Sequence, residues 1–450
     1  MNIRLESLGC RLNIGEMEAL GRQLASRGHR LVGPGEPAEL CILNTCTVTA
    51  IASRKSRQVL RQLRRSHPGA AVVATGCDAE MAPGRLRQLG LDLVVGNDAK
   101  DRLADVLEHS GLLVGSGDRP RTDPGGALAG AGRTRAFLKV QDGCDNRCTF
   151  CVVTLARGAG RSRSAEDVAR EVRELTADGF REVVLSGVHL GSWGHDQTPR
   201  RGLPDLLRHL LETTDLGRLR LSSVEPWDLT PDLVEWYRDP RVLPHLHLPL
   251  QSGCDATLRR MARRTTCDEF RRLVEHARSV VPEMSVSTDV IVGFPGETEA
   301  EFETSVATVR NLGFSRLHVF RYSRREGTAA AAMPRQVPGD VAAARSRVMH
   351  DLGADLEQRF NRRFLGQAQP VLWEVGEQFG DGLRWSGLTP HYVRVHTETA
   401  ADVDLTNRVT ETGLVEALPG ALLGHVPGVS VERMVEPAPG PGRLPVLRTG

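Results

Sequence analysis

The feature that most constrains this chain is Cys144-Asp-Asn-Arg-Cys148-Thr-Phe-Cys151, three cysteines in one short loop after the apolar run Phe137–Val140. Three thiolates in one tight loop can hold three corners of a cubane iron–sulfur cluster and leave the fourth iron open. An electron-transfer cluster closes all four corners with protein thiolates. An open iron is what a cluster needs in order to bind a small molecule and act on it. Zinc and purely structural thiols are the alternatives. Structural zinc takes four ligands, usually as two Cys-x-x-Cys-like pairs, and no partnering pair is evident.

The loop sits inside a repeating pattern of short apolar runs and amphipathic stretches. In residues 1–114, Ile3–Leu8, Leu40–Asn44, Val72–Thr75 and Leu93–Val95 read as strands. Gly15–Arg27, Thr49–Ser66, Met81–Leu89 and Lys100–Glu108 read as helices, and the alternation predicts an open parallel α/β sheet. Residues 115–134 are rich in Gly and Pro and read as a linker. Over 135–364, Phe137–Val140, Val183–Ser186, Leu219–Ser222, His245–Leu248, Val286–Val290 and Arg316–Phe320 are candidate strands with helical patterns between them. They predict a partial (β/α)6 barrel, an architecture with its chemistry at the carboxyl ends of the strands. A helix from Asp340, expected as its cap, to about Phe364 closes this region, with Val348, Leu352, Leu356 and Phe360 along one side. Residues 365–436 hold the short strands Gln369–Trp373, Arg384–Leu388, Tyr392–Thr397, Val409–Val415 and Ala421–Val426, which read as a small all-β barrel. Residues 437–450 read as a loose tail.

A second set of cysteines shares one structural address. Cys10, Cys46 and Cys77 each follow an expected strand by one or two residues. In an open parallel sheet such positions line the crevice beyond the carboxyl ends. Cysteines after strands are also often plain buried hydrophobes. Cys41 lies inside a strand, and Cys254 and Cys267 flank a helix; these three read as non-ligands.

Gly143-Cys-Asp-Asn-Arg-Cys-Thr-Phe-Cys-Val resembles the cluster signature of radical S-adenosylmethionine (SAM) enzymes, and within them the methylthiotransferases. The resemblance spans nearly the whole chain. It implies that SAM binds the open iron of a 4Fe-4S cluster through its amino and carboxylate groups and is cleaved by one electron to methionine and a 5′-deoxyadenosyl radical. It also implies that Cys10, Cys46 and Cys77 hold a second, auxiliary 4Fe-4S cluster, which keeps methylated sulfur until a substrate radical takes it. SAM then serves as both methyl donor and radical source.

The expected strand ends carry polar motifs that look like the family's SAM site: Ser186-Gly187, Ser223 and Glu225, Gln251, and Asp289 to Gly293. Turn and cap formation is their plainer meaning. Arg157, Arg161 and Arg163 resemble the family's Ala-Arg-Gly…Arg-Ser-Arg segment and are expected at the substrate, although Thr154-Leu155 replaces the usual Pro-Tyr and Thr265-Thr266 stands where an aromatic often appears. The carboxyl-terminal barrel resembles a TRAM domain, an RNA-binding module. Trp373, Trp385, His391, Tyr392 and Arg394 are its candidate contacts, and the barrel is expected to position RNA without doing chemistry. Arg54, Arg57, Arg61 and Arg64 form a basic helix face, which is a second RNA candidate or simply a solvated stripe.

Gly9-Cys10-Arg11-Leu12-Asn13 and Gly187-Val-His-Leu-Gly-Ser-Trp193 resemble the branch that modifies threonylcarbamoyladenosine beside the tRNA anticodon. The isopentenyladenosine and ribosomal-protein aspartate branches usually differ in the pair after the first cysteine. A non-catalytic iron–sulfur RNA-binding protein is a rival of another class, but it has no use for the strand-end motifs. A tRNA partner, an electron donor such as flavodoxin or ferredoxin and a sulfur source are implied. The net charge of +2 excludes a globally basic protein, so any RNA surface must be local. Charges in the first eight residues and the lack of a membrane-length apolar run predict no membrane segment, and nine cysteines without a disulfide pattern point to the cytoplasm.

Overall fold

β3 (Leu40–Thr45) is buried at every residue, as a strand covered on both faces must be. It is the centre of a five-stranded parallel sheet with β1 (Asn2–Ser7), β2 (Arg30–Leu31), β4 (Ala71–Gly76) and β5 (Leu93–Val95), in the order β2-β1-β3-β4-β5. β2 went unread in the sequence because two residues show no periodicity. The computed structural model describes residues 1–113 and 134–429. The linker expected at 115–134, apart from Thr134, lies outside the described residues, as do 430–436 and the expected tail at 437–450.

The second unit begins with β6 (Arg135–Lys139). A small antiparallel ribbon of β7 (Gln141–Asp142) and β8 (Arg161–Ser162) flanks the cysteine loop. Then come β9 (Glu182–Ser186), β10 (Leu219–Leu221), β11 (His245–His247), β12 (Ser285–Val292) and β13 (Arg316–Arg321), alternating with helices. The strands form two parallel three-stranded sheets joined by the bridges Leu219 to Val242 and Ser223 to His247. The result is an open half-barrel, in the expected class.

The first helix, Arg11–Ser26, lies directly across β6. A Cβ at Gly15 would sit 2.2 Å from the Phe137 carbonyl oxygen, so only glycine permits this approach. The contact brings the ends of β1, β3 and β4 over the open half-barrel.

The long helix runs Gly339–Arg362 with Pro338 as its cap. Asp340 lies within its first turn and makes no capping bond, contrary to expectation. Val348 is 46% exposed, and Met349 takes its place in the core with Leu352, Leu356 and Phe360. A strict four-residue step drifts about 40° per step around a helix of 3.6 residues per turn, so Val348 has rotated off the buried stripe.

β14 (Ala368–Phe379), β15 (Gly382–Leu388), β16 (Arg394–Ala400), β17 (Val409–Leu418) and β18 (Ala421–His425) close the carboxyl-terminal barrel in the order β14-β15-β16-β18-β17. Its core includes Trp373 and Trp385, which are buried. Both were expected as RNA contacts. A Cβ at Gly387 would stand 2.8 Å from the Trp373 ring, and one at Gly376 2.9 Å from the Trp385 ring, so these glycines make room for the indoles. Phe360 of the long helix and Phe364, just past its end, belong to the same core. Among the described residues no helix is long and apolar enough to cross a membrane.

Candidate active site: a cavity walled by two cysteine triads

Cys46 and Cys77 follow β3 and β4 directly, and Cys10 caps the helix Arg11–Ser26 just beyond β1. Cys144, Cys148 and Cys151 lie in the loop between β7 and the helix Val153–Arg157. That loop is pinned by backbone: Cys144 N–H donates to the Gly158 carbonyl at 3.0 Å and Thr149 N–H to that of Met261 at 3.0 Å. Gly143 adopts φ 71°, and a Cβ there would overlap the Ala159 carbonyl at 1.9 Å. All six cysteines line one cavity of about 510 Å³ between the sheet and the half-barrel.

The thiols suit cluster ligands. Backbone N–H groups of Asn146 and Val153 donate to Cys144 and Cys151 Sγ at 3.4 Å, and Arg263 Nη1 to Cys148 Sγ at 3.6 Å. Burial pushes the Cys46 thiol up to about 11 and Cys151 to about 12, so a binding metal must displace their protons. Among the described residues no three His, Cys, Asp or Glu side chains converge tightly enough for one ion. A cubane instead takes its cysteines at separate iron corners. Cys41 lies in the core beneath β3, and Cys254 and Cys267 stand outside the cavity.

Ser186, Gly187, Ser223, Glu225, Gln251 and Asp289 all line the same cavity. Gly293 does not. Its N–H donates to Glu297 Oε2 at 2.7 Å, and its missing side chain lets Ala342 of the long helix approach. Gln251 holds φ 72° while pairing backbone with β12.

The charges around the cavity are largely matched. Arg263 grips Glu225 with both terminal nitrogens, donates to the Pro249 carbonyl at 2.7 Å and lies over Trp227. Burial would lower Arg263, but Glu225 and Cys148 raise it. Nothing in its local sequence, Arg-Arg-Thr-Thr, signals this role. His247 stands 3.3 Å from Asp289. Burial would raise the Asp289 carboxyl, yet His247 and neighbouring cations keep it below its ordinary value. His318 is pushed down to about 4 by burial and by His247, with Arg316 and Arg11 adding to the effect.

The three arginines expected at the substrate part ways. Arg157 is buried and bonds Glu16 at 2.9 Å, Asp142 at 2.8 Å and Asn13 at 2.9 Å. Burial opposes the Glu16 charge, but Lys100, Arg157 and Lys139 hold that carboxyl far below its usual range. Arg157 therefore ties the sheet to the cysteine loop, and its charge is already matched by protein. Arg161 is exposed and Arg163 is paired with Glu171; neither lines the cavity.

The expected RNA contacts also divide. His391 packs on Phe364, Arg394 pairs with Glu374, and Tyr392 enters the cavity wall, stacked on His245. Burial raises Tyr392, but Arg11, Arg135 and Arg220 bring its phenol down to about 8. On the helix Ala50–Ser66, Arg54 and Arg61 face solvent, Arg57 turns toward Asp78, and Arg64 donates to the Leu89 carbonyl.

Residues 138–309 match the Radical SAM superfamily, and residues 2–96 match the Uncharacterized protein family UPF0004. A threonylcarbamoyladenosine tRNA methylthiotransferase, MtaB, from Thermotoga maritima is 36% identical over 83% of this chain and 86% of its own length. A tRNA-2-methylthio-N(6)-dimethylallyladenosine synthase from Cereibacter sphaeroides is 35% identical over 94% and 98%. The radical SAM methyltransferase TsrM from Kitasatospora setae shares the fold, with TM-score 0.54 and 16% identity over 73% of this chain and 77% of that one. An open half-barrel with three cysteines in one loop at its strand ends defines a radical SAM enzyme, which uses SAM and a 4Fe-4S cluster. More narrowly, the chain belongs to the radical SAM tRNA methylthiotransferase family, and it is a transferase.

Proposed function

We propose that this chain adds a methylthio group to C2 of threonylcarbamoyladenosine next to the anticodon of tRNA. The observation that carries the reading is the convergence of both cysteine triads on one cavity. Cys144, Cys148 and Cys151 would hold one 4Fe-4S cluster and Cys10, Cys46 and Cys77 a second. When bound, the first supplies reductive cleavage of SAM and the second a store of methylated sulfur. The chain supplies the surroundings. Arg263 fixes Glu225 at the cavity wall, His247 orients Asp289, and the turn at Ser186-Gly187 forms the ledge between them and the loop. Phe320, 43% exposed at the cavity, offers a face for stacking the adenine. Solvent-facing Arg54 and Arg61, on the helix that follows Cys46, suit the tRNA backbone. A flavodoxin- or ferredoxin-like donor, a sulfur source and a cytoplasmic setting complete the requirement.

The dimethylallyladenosine relative, 35% identical over 94% of this chain, favours a second reading: the same chemistry on isopentenyladenosine. Purified protein, SAM, dithionite and tRNA carrying either nucleoside separate the two. Methylthio product is expected from threonylcarbamoyladenosine, and product from isopentenyladenosine alone would reverse the assignment.

Replacing Cys10, Cys46 and Cys77 together with alanine should leave reductive SAM cleavage in place and remove all methylthio product. Cleavage is read as 5′-deoxyadenosine and product by nucleoside mass spectrometry. Full product formation would make these thiols structural.

A further inference from the structure

The charged groups lining the cavity leave two cations over. Glu225 is taken by Arg263, Asp289 by His247, and Arg157 by Glu16 and Asp142. Arg11 makes its bond to the Tyr392 phenol oxygen, and among the described residues it has no carboxylate within ion-pair distance. Arg316, the first residue of β13, is 39% exposed and meets Glu357 only at 3.5 Å. Both arginines line the cavity, Arg11 held over the rings of Phe137 and Tyr392. His318 and Tyr392 line the same wall.

One guanidinium with no carboxylate partner and a second held only by Glu357 at 3.5 Å, both lining one partly desolvated cavity, can take an anion from the substrate. SAM's own carboxylate belongs at the Cys144–Cys151 loop, where Arg263 and Glu225 stand, whereas Arg11 directly follows Cys10 of the other triad. A dimethylallyl group carries no charge and would leave Arg11 without an anionic partner and Arg316 with Glu357 alone. A threonylcarbamoyl group ends in a carboxylate, which a guanidinium fork grips through two parallel bonds.

Resting on the substrate reading above, we propose that Arg11 and Arg316 form the specificity subsite of the cavity and hold the carboxylate of the threonylcarbamoyl substituent. The test is binding, without reductant, of synthetic anticodon stem-loops to the full reconstituted protein, followed by fluorescence anisotropy. The loops carry threonylcarbamoyladenosine, isopentenyladenosine or unmodified adenosine. Wild type should prefer the threonylcarbamoyl loop. In Arg316→Gln and Arg11→Gln that preference over unmodified adenosine should fall roughly 10- to 100-fold while binding of the unmodified loop changes by less than about twofold. Arg11→Lys should restore part of it. Because the Arg316 side chain is partly exposed and loosely held, Arg316→Gln decides the matter if the Arg11 variant does not fold. Equal weakening on all loops would assign the arginines to RNA phosphates, and weakened SAM binding with an intact preference would assign them to SAM; either overturns the proposal, as does an unchanged preference. A wild-type protein that prefers the isopentenyl loop instead overturns the substrate reading itself, whatever the variants do.

Discussion

Replacing Cys144, Cys148 and Cys151 together with alanine should abolish reductive cleavage of SAM, with no 5′-deoxyadenosine formed above the protein-free control. The loop's shape does not depend on its sulfurs. It is held by the Cys144 and Thr149 amides, by Thr149 Oγ1 on the Arg260 carbonyl at 2.9 Å, and by Phe150 against Met261, Phe294 and Ala330. The variant should therefore stay folded, keep the Cys10, Cys46 and Cys77 triad and still bind tRNA. Its loss is then one of chemistry, because the other described cysteines of the cavity, Cys10, Cys46 and Cys77, form the separate triad on the sheet. Retained cleavage would remove the radical assignment.

Ending the chain at Phe364 should destabilise the whole protein, although every expected ligand precedes that point. The sequence presents the barrel as a separable RNA module. In the structure its own core takes in Phe360 and Phe364, and its Pro390 and Tyr392 contact Arg220 of the half-barrel. Phe360 and Phe364 lose their cover, and full exposure costs about 1.5–3 kcal/mol for each such side chain. Arg220, fully buried on Glu182, also loses the Pro390 carbonyl at 3.0 Å and the ring of Tyr392. The total is a large part of the ~5–15 kcal/mol that holds an ordinary domain together. Soluble yield and a thermal melt of the shortened chain measure it. A shortened chain that melts like the full one and cleaves SAM at the full rate would show that the barrel is only an appendage.

How much could be read in advance follows from how local each signal is. The Cys144 loop is a contiguous motif, and Cys10, Cys46 and Cys77 are marked by strands whose apolar runs are plain in the sequence, so their shared cavity was foreseeable from topology. Glu225, Gln251 and Asp289 were found the same way, as polar residues at or near strand ends. Arg263 was not, because its partners Glu225, Pro249 and Cys148 come from three separate segments. Arg157 misled for the same reason. Its motif marks a guanidinium near the loop, but not that Glu16, far away in sequence, already neutralises it. The tryptophans of the barrel misled because a strand shows which residues share a face and not which face is inside; that is set by Gly376 and Gly387 on neighbouring strands. Gly293 serves packing of the long helix, a contact invisible from its own turn.

Two cysteine triads wall one cavity, and each is expected to hold its own cluster. Iron and sulfide analysis with Mössbauer spectroscopy on the anaerobically reconstituted wild type tests it most directly, alongside the two triple-alanine variants. About eight iron atoms per chain in two cubanes are expected, and about four when either triad is removed. A wild type that stops at about four, or a single triad whose loss removes all the iron, would contradict it.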